Sequence, residues 1–154
     1  MTLEDLNEII THLINECVKL KNKYVEEKDL IVDYVCIFTH SQEEYGEFHK
    51  LAKQIGKPTN ETSTGPIYAF LNPPETIVGK PKLLKIRKPD ETRPQRGDVD
   101  FNTDYENFKN KYQDDKRFTL IKRKNFDILE LRDDSFDVLA YFSSTPPSKQ
   151  LKIE

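Results

Sequence analysis

The side chains best able to do chemistry in this sequence sit in short apolar runs. In KLLKIRK (82–88), Leu84 and Ile86 alternate with Lys85 and Arg87, so a strand there turns two cations to one face and two aliphatic groups to the other. In DVDF (98–101) the same alternation puts Asp98 and Asp100 together. If Ile86 packs under a helix, Lys85 and Arg87 meet the two aspartates on the open face of the sheet. Such a face can read an anion, with Arg87 offering bidentate contacts to a carboxylate or phosphate. The competing reading is a solvated strand face carrying ordinary, weak ion pairs. Tyr34, Tyr68 and Tyr141 lie in three other strand-like runs. They are candidate hydroxyl donors at a pocket edge, or else packed aromatics with only the hydroxyl in water.

Other reactive groups carry less. His40 and His49 are nine residues apart, which is not the i, i+4 spacing of a helical zinc pair, and His12 stands alone. His40, at the end of a strand, is a candidate general base without a visible nucleophile or partner, and a surface histidine is the plainer reading. Cys17 and Cys36 both sit in apolar patterns and read as buried free thiols of a reducing compartment, hence a cytoplasmic protein. G-x-G-x-x-G, Walker A, nucleophile elbow, CxxC and HExxH are all missing, so no cofactor is expected. The segment 80–96 holds seven basic residues against Asp90 and Glu91. It lacks the interleaved aromatics of a nucleic-acid platform, so no nucleic-acid partner is expected.

Composition sets the outer bounds. A chain of 154 residues suffices for one domain or for two small halves sharing a core. Charged residues make up 33% and aromatics 10%, which describes a packed globule with a highly charged surface rather than a disordered chain. Lys plus Arg number 24 against 27 Asp plus Glu, which gives no global field for nucleic acid or membrane. No apolar run approaches the roughly 20 residues of a membrane span, and the acidic N-terminus does not look like a signal peptide.

The elements that must position these groups follow from periodicity. Leu3 to Tyr24 carries an i, i+3, i+4 apolar stripe (Leu6, Ile10, Leu13, Cys17), opened by a Thr2/Asp5 capping box. This helix is expected to cover a sheet face; its stripe from Leu3 to Leu20 is also a candidate homodimer contact. DYVCIF (33–38) is a strand, and SQEEYGEFHKLAKQIG (41–56) a helix capped by Ser41/Glu44, with Gly56 placed for a left-handed C-cap. PIYAFL and KLLKIRK are strands after it, with a turn over 60–65 between helix and strand. Residues 89–97 form a linker. Strand 98–101, a helix from Thr103/Glu106, and strands at 117–123, 126–131 and 137–142 then repeat the order. The fold class is therefore α+β: two βαβββ-like units (30–89 and 98–142) forming a curved, mostly antiparallel sheet, after an N-terminal helix and connector (1–29). The tail, 143–154, is expected to fray.

Two such units resemble the vicinal oxygen chelate superfamily of glyoxalases, extradiol dioxygenases and bleomycin-resistance proteins, over roughly Ile31 to Phe142. The resemblance implies an open barrel with a ligand in its concave side, and in many members a divalent metal held from the first and last strands of the units. Carried over, those positions fall on Tyr34, Lys85, Asp98 and Tyr141. One carboxylate, two phenols and an ammonium are not a divalent-metal site, because a protonated lysine repels a cation. The resemblance thus implies a metal-free member that binds a small anionic molecule through Tyr34, Tyr68, Lys85, Arg87, Asp98 and Tyr141, with no catalytic residue assigned. The alternatives are a non-catalytic interaction module and a metal-dependent lyase or dioxygenase with ligands elsewhere.

Overall fold

The structure is a computed structural model and describes residues 1–152. Helix α1 (Leu3–Tyr24) begins with the expected capping box: the Thr2 hydroxyl accepts the Asp5 N–H and the Asp5 carboxylate accepts the Thr2 N–H. Its apolar stripe is buried against strands β1 (Val32–Phe38), β5 (Gly97–Phe101) and β8 (Val138–Ser143). The protein's own sheet occupies that stripe, so a contact between copies through Leu6, Leu13 or Leu20 would have to unpack the core. No described helix is long and apolar enough to cross a membrane.

The first unit continues with α2 (Gln42–Ile55), β2 (Gly56–Thr62), β3 (Gly65–Phe70) and β4 (Leu83–Arg87). The second runs β5, α3 (Tyr105–Tyr112), β6 (Phe118–Lys122), β7 (Asp127–Leu131) and β8. All eight strands form one curved sheet in the order β2-β3-β4-β1-β5-β8-β7-β6. Each half therefore pairs its first strand in parallel with its last (β1 with β4, β5 with β8), and the halves join through the antiparallel pair β1–β5. The doubled strand–helix–strands order expected from the sequence is the architecture of the protein, with a third strand, β2, added after the first unit's helix.

Three local expectations are corrected. Gly56 is extended (φ −145°) rather than left-handed and starts the edge strand β2, which runs through the stretch expected to turn. Pro58 is tolerated there because the strand is an edge. The Thr103/Glu106 box does not form: α3 is preceded by Asp104, and the Thr103 hydroxyl is buried without a partner. The tail does not fray over its described part. Pro147–Gln150 forms a short helix, α4, and the Ser148 amide and hydroxyl both donate to the buried Asp33 carboxylate, at 2.9 and 2.5 Å. Residues 153–154 of the expected frayed tail lie outside the described residues.

All three long helices cover one face of the sheet. Phe108 and Tyr112 of α3 stack into Phe118 and Phe142, with Phe101 beside them, and Phe48 and Ala52 of α2 join the same core. The other face carries most of the buried polar side chains, beside a small apolar cluster of Cys36, Phe38 and Leu139. One turn is under tight constraint. Gly65, at the β2–β3 hairpin, has φ +143°, and a Cβ there would lie 2.0 Å from the Ile86 carbonyl oxygen. Gly65→Ala is expected to lower the unfolding free energy by about 1–3 kcal/mol, measured by chemical denaturation.

Candidate functional site

The uncovered face of the sheet is concave and encloses a cavity of about 510 Å³, a size suited to a small molecule. Residues opposite one another in the ladders share a face, so the register sets its floor. One row runs Asp98–Cys36–Lys85–Ile67 across β5, β1, β4 and β3. The next row runs Glu130–Tyr141–Asp100–Tyr34 across β7, β8, β5 and β1. The two rows bring together four of the six residues expected from the sequence, Tyr34, Lys85, Asp98 and Tyr141, and Arg87, two residues beyond Lys85 on β4 and paired with Phe38, lines the cavity beside them.

Tyr68 does not. It lies opposite Leu84, whose side chain is in the core, so Tyr68 faces the helices; it is 1% exposed and its hydroxyl is hydrogen-bonded to His49 Nδ1. Its neighbour Ile67 takes the cavity side instead. Asp100 lines the cavity too, on the face where the alternation with Asp98 put it. The site residues that sequence reasoning left out are Cys36, Arg93, Thr64 and Ser143, together with α4 and the residue after it, which line one end through Pro147, Gln150 and Leu151. Ser143 was detectable from the two-residue alternation with Tyr141. Arg93 gives no such signal, because it enters from the linker.

The register also orders the two halves. A half-turn about Val35 and Val99, which carries β1 onto β5, places Tyr34 on Asp98. Through the flanking parallel ladders it places Lys85 on Tyr141. The four positions assigned from the resemblance are thus two symmetry-related pairs around the centre of the sheet. Among the described residues no group of three or more His, Cys, Asp or Glu side chains is arranged to hold a metal ion.

The electrostatics divide the cavity into two poles. On one side the Lys85 ammonium donates to the Thr64 hydroxyl at 2.5 Å and, among the described residues, has no carboxylate within ion-pair distance; burial lowers its pKa. Arg87 pairs with Asp90 at 3.2 Å and stacks on Phe38, leaving its buried Nε without a partner. Asp98 and Asp100 line the other side, 3% and 2% exposed. Ser143 donates to Asp100 Oδ2, but the Oδ1 of each aspartate is buried and unpaired. Burial, reinforced by Asp100, pushes Asp98 up to about 8, and burial pushes Asp100 up to about 7. Arg93 and the Tyr141 hydroxyl both donate to Glu130, at 3.3 and 3.0 Å, forming a closed network at the edge.

The two thiols differ in setting but not in reactivity. Cys17 donates to the Leu139 carbonyl from α1, and Cys36 sits in the cavity floor between the poles. Both are free, and burial raises the Cys36 thiol to about 12, so it presents a weakly polar surface rather than a nucleophile. His40 Nε2 donates to the Gln95 carbonyl of the linker and lies outside the cavity, and His12 pairs with Asp137 on the far side of α1.

The fold and site define a doubled βαβββ protein with a polar cavity in its concave sheet. No protein-family model matches the sequence, and no curated protein matches it significantly. A solved structure described as "Structural Genomics, Protein EC4020" has the same fold: TM-score 0.74 over 97% of this chain and 91% of that one, at 11% identity.

Proposed function

We propose that this protein is a divergent, metal-free relative of the vicinal oxygen chelate proteins that binds a small anionic molecule in the concave sheet. The observation that carries the reading is the Lys85 ammonium, which faces the cavity with a single hydroxyl as partner and no counter-ion among the described residues. A half-buried cation in that state gains most from an incoming carboxylate or phosphate, because charge-assisted hydrogen bonds are about twice as strong as neutral ones. The free Nε of Arg87 and the rim residue Arg123 add donors beside it.

Chemistry through a divalent ion is not part of this reading. At the positions where the superfamily holds its metal, this chain offers phenols, an ammonium and one carboxyl whose charge burial disfavours. Cavity and free thiols together suit a cytoplasmic small-molecule binder. A thermal-shift screen of small carboxylates and phosphates is expected to yield a compound that stabilises the wild type by several degrees. Its effect should fall at least tenfold in apparent affinity in Lys85→Ala and in Arg87→Ala. The absence of any such compound, or one indifferent to both changes, would overturn the reading.

A further inference from the structure

The anion-binding cations account for only half of the cavity. Asp98 and Asp100 stand side by side on β5, each almost wholly buried and each with an oxygen that accepts no hydrogen bond. Unpaired acceptors of this kind are costly inside a protein unless something outside the fold supplies donors. Both oxygens belong to residues that line the cavity, so the donor they lack can come from a molecule within it.

The position of the two poles is equally informative. In the floor, Asp98 and Lys85 are separated by Cys36, one strand apart on either side. With strands about 4.8 Å apart, their backbones stand about 10 Å from one another, and the two side chains make no ion pair. Two of the other lining cations are already matched, Arg93 with Glu130 and Arg87 with Asp90, while Arg123 stands at the rim on the side of the second half. What remains open is one cationic pole around Lys85 and one anionic pole around Asp98 and Asp100, facing across a neutral thiol. A purely anionic guest would satisfy the first pole and leave the unpaired oxygens of the second without a donor.

From the two unpaired aspartate oxygens and the separate ammonium, we infer that the natural ligand is a small zwitterion of the amino-acid type. Its acid group sits at Lys85 and Arg87, and its protonated amine bridges Asp98 and Asp100 across Cys36. The inference rests on the anion-binding reading and adds the second pole. The charge balance agrees with it: an amine between the two carboxyls lets both ionise, whereas without it burial, reinforced at Asp98 by repulsion from Asp100, keeps Asp98 mostly protonated and Asp100 about half protonated near pH 7.

The test compares amino acids of two to six carbons, with the amine at the α or the terminal carbon, with the same acids lacking the amine. Binding is read by calorimetry. At least one amino compound is expected to bind at least tenfold tighter than its amine-free partner. That preference should shrink to about twofold or less in Asp98→Asn/Asp100→Asn, whose neutral amides keep the side-chain shapes. A measurement on the unaltered protein supports this even if that variant does not fold: in buffers of different ionisation heat near pH 7.5, the amino compound should release protons on binding. Equal binding of both series, or proton uptake, would overturn the zwitterion while leaving the anion site standing, provided Lys85→Ala still abolishes binding. Binding of neither series would overturn both.

Discussion

Phe142→Ala is expected to lower the unfolding free energy by about 3–5 kcal/mol, the largest stability loss from any single truncation proposed for this protein. Phe142 is fully buried on β8, where its ring meets Phe108 of α3 at 4.4 Å and Phe101 of β5 at 5.8 Å between centroids, with Phe118 of β6 at 6.3 Å. Removing it leaves a void among side chains held by three other elements, which cannot all close in on it. The expected fall in Tm is roughly 10 °C, at about 2–4 °C per kcal/mol for a chain of this size. Thermal unfolding followed by circular dichroism checks it. A loss under about 1 kcal/mol would mean that α3 does not pack on the second half of the sheet as described.

The second large effect is a pH dependence that runs opposite to the usual one for carboxylates. Asp98 and Asp100 are raised to about 8 and about 7 in the folded protein, whereas both titrate near 4 in an unfolded chain. The folded state therefore holds protons that the unfolded state has released. Stability from these groups is fully present below about pH 4 and is lost as pH rises through 7 to 8. The groups facing the pair are Tyr34 and Cys36 from β1, Lys85 and Arg87 from β4, and Tyr141 and Ser143 from β8, with Arg93 from the linker and Asp33 behind. Tyr34, Cys36 and Tyr141 are all pushed upward by burial and stay neutral through this range, so they do not mask the effect. Without ligand, unfolding free energy is expected to fall by a few kcal/mol between pH 5.5 and pH 8.5. Asp98→Asn should flatten most of that slope and stabilise the protein at the upper pH. A wild-type profile that is flat, or rises over this interval, would refute the buried pair.

The two effects meet at the ligand. A guest that brings an amine to Asp98 and Asp100 turns the high-pH penalty into binding energy, so saturated protein should lose the downward slope seen in its absence. A guest that brings only an anion to Lys85 should deepen it. The stability profile with and without ligand thus reports which pole is occupied, independently of affinity.

Much of this protein was legible in the sequence wherever the signal was local. The stripe from Leu6 to Leu20, the caps at Thr2 and Ser41, and the alternation of Leu84 and Ile86 with Lys85 and Arg87 each depend on neighbours within one turn or one strand. The doubled element order followed, and with it the cavity-lining roles of Lys85, Arg87, Asp98 and Tyr141, since period-two spacing fixes which residues of a strand share a face. Three things were settled only by the tertiary structure. Tyr68 and Ile67 exchange faces depending on how β3 registers with β4 across the loop at 71–82, and a one-residue shift would have put the phenol in the cavity. Gly56 to Thr62 became a strand because β3 offered it an unpaired edge, not because GKPTNET favours one. The unpaired oxygens of Asp98 and Asp100, the distance between that pair and Lys85, and the docking of Ser148 on Asp33 all join residues far apart in the chain. Propensity and spacing act along the backbone, whereas register, burial and charge pairing act across it, so the polar side chains of the site can be read from their strands while packing alone determined which of them were left without partners.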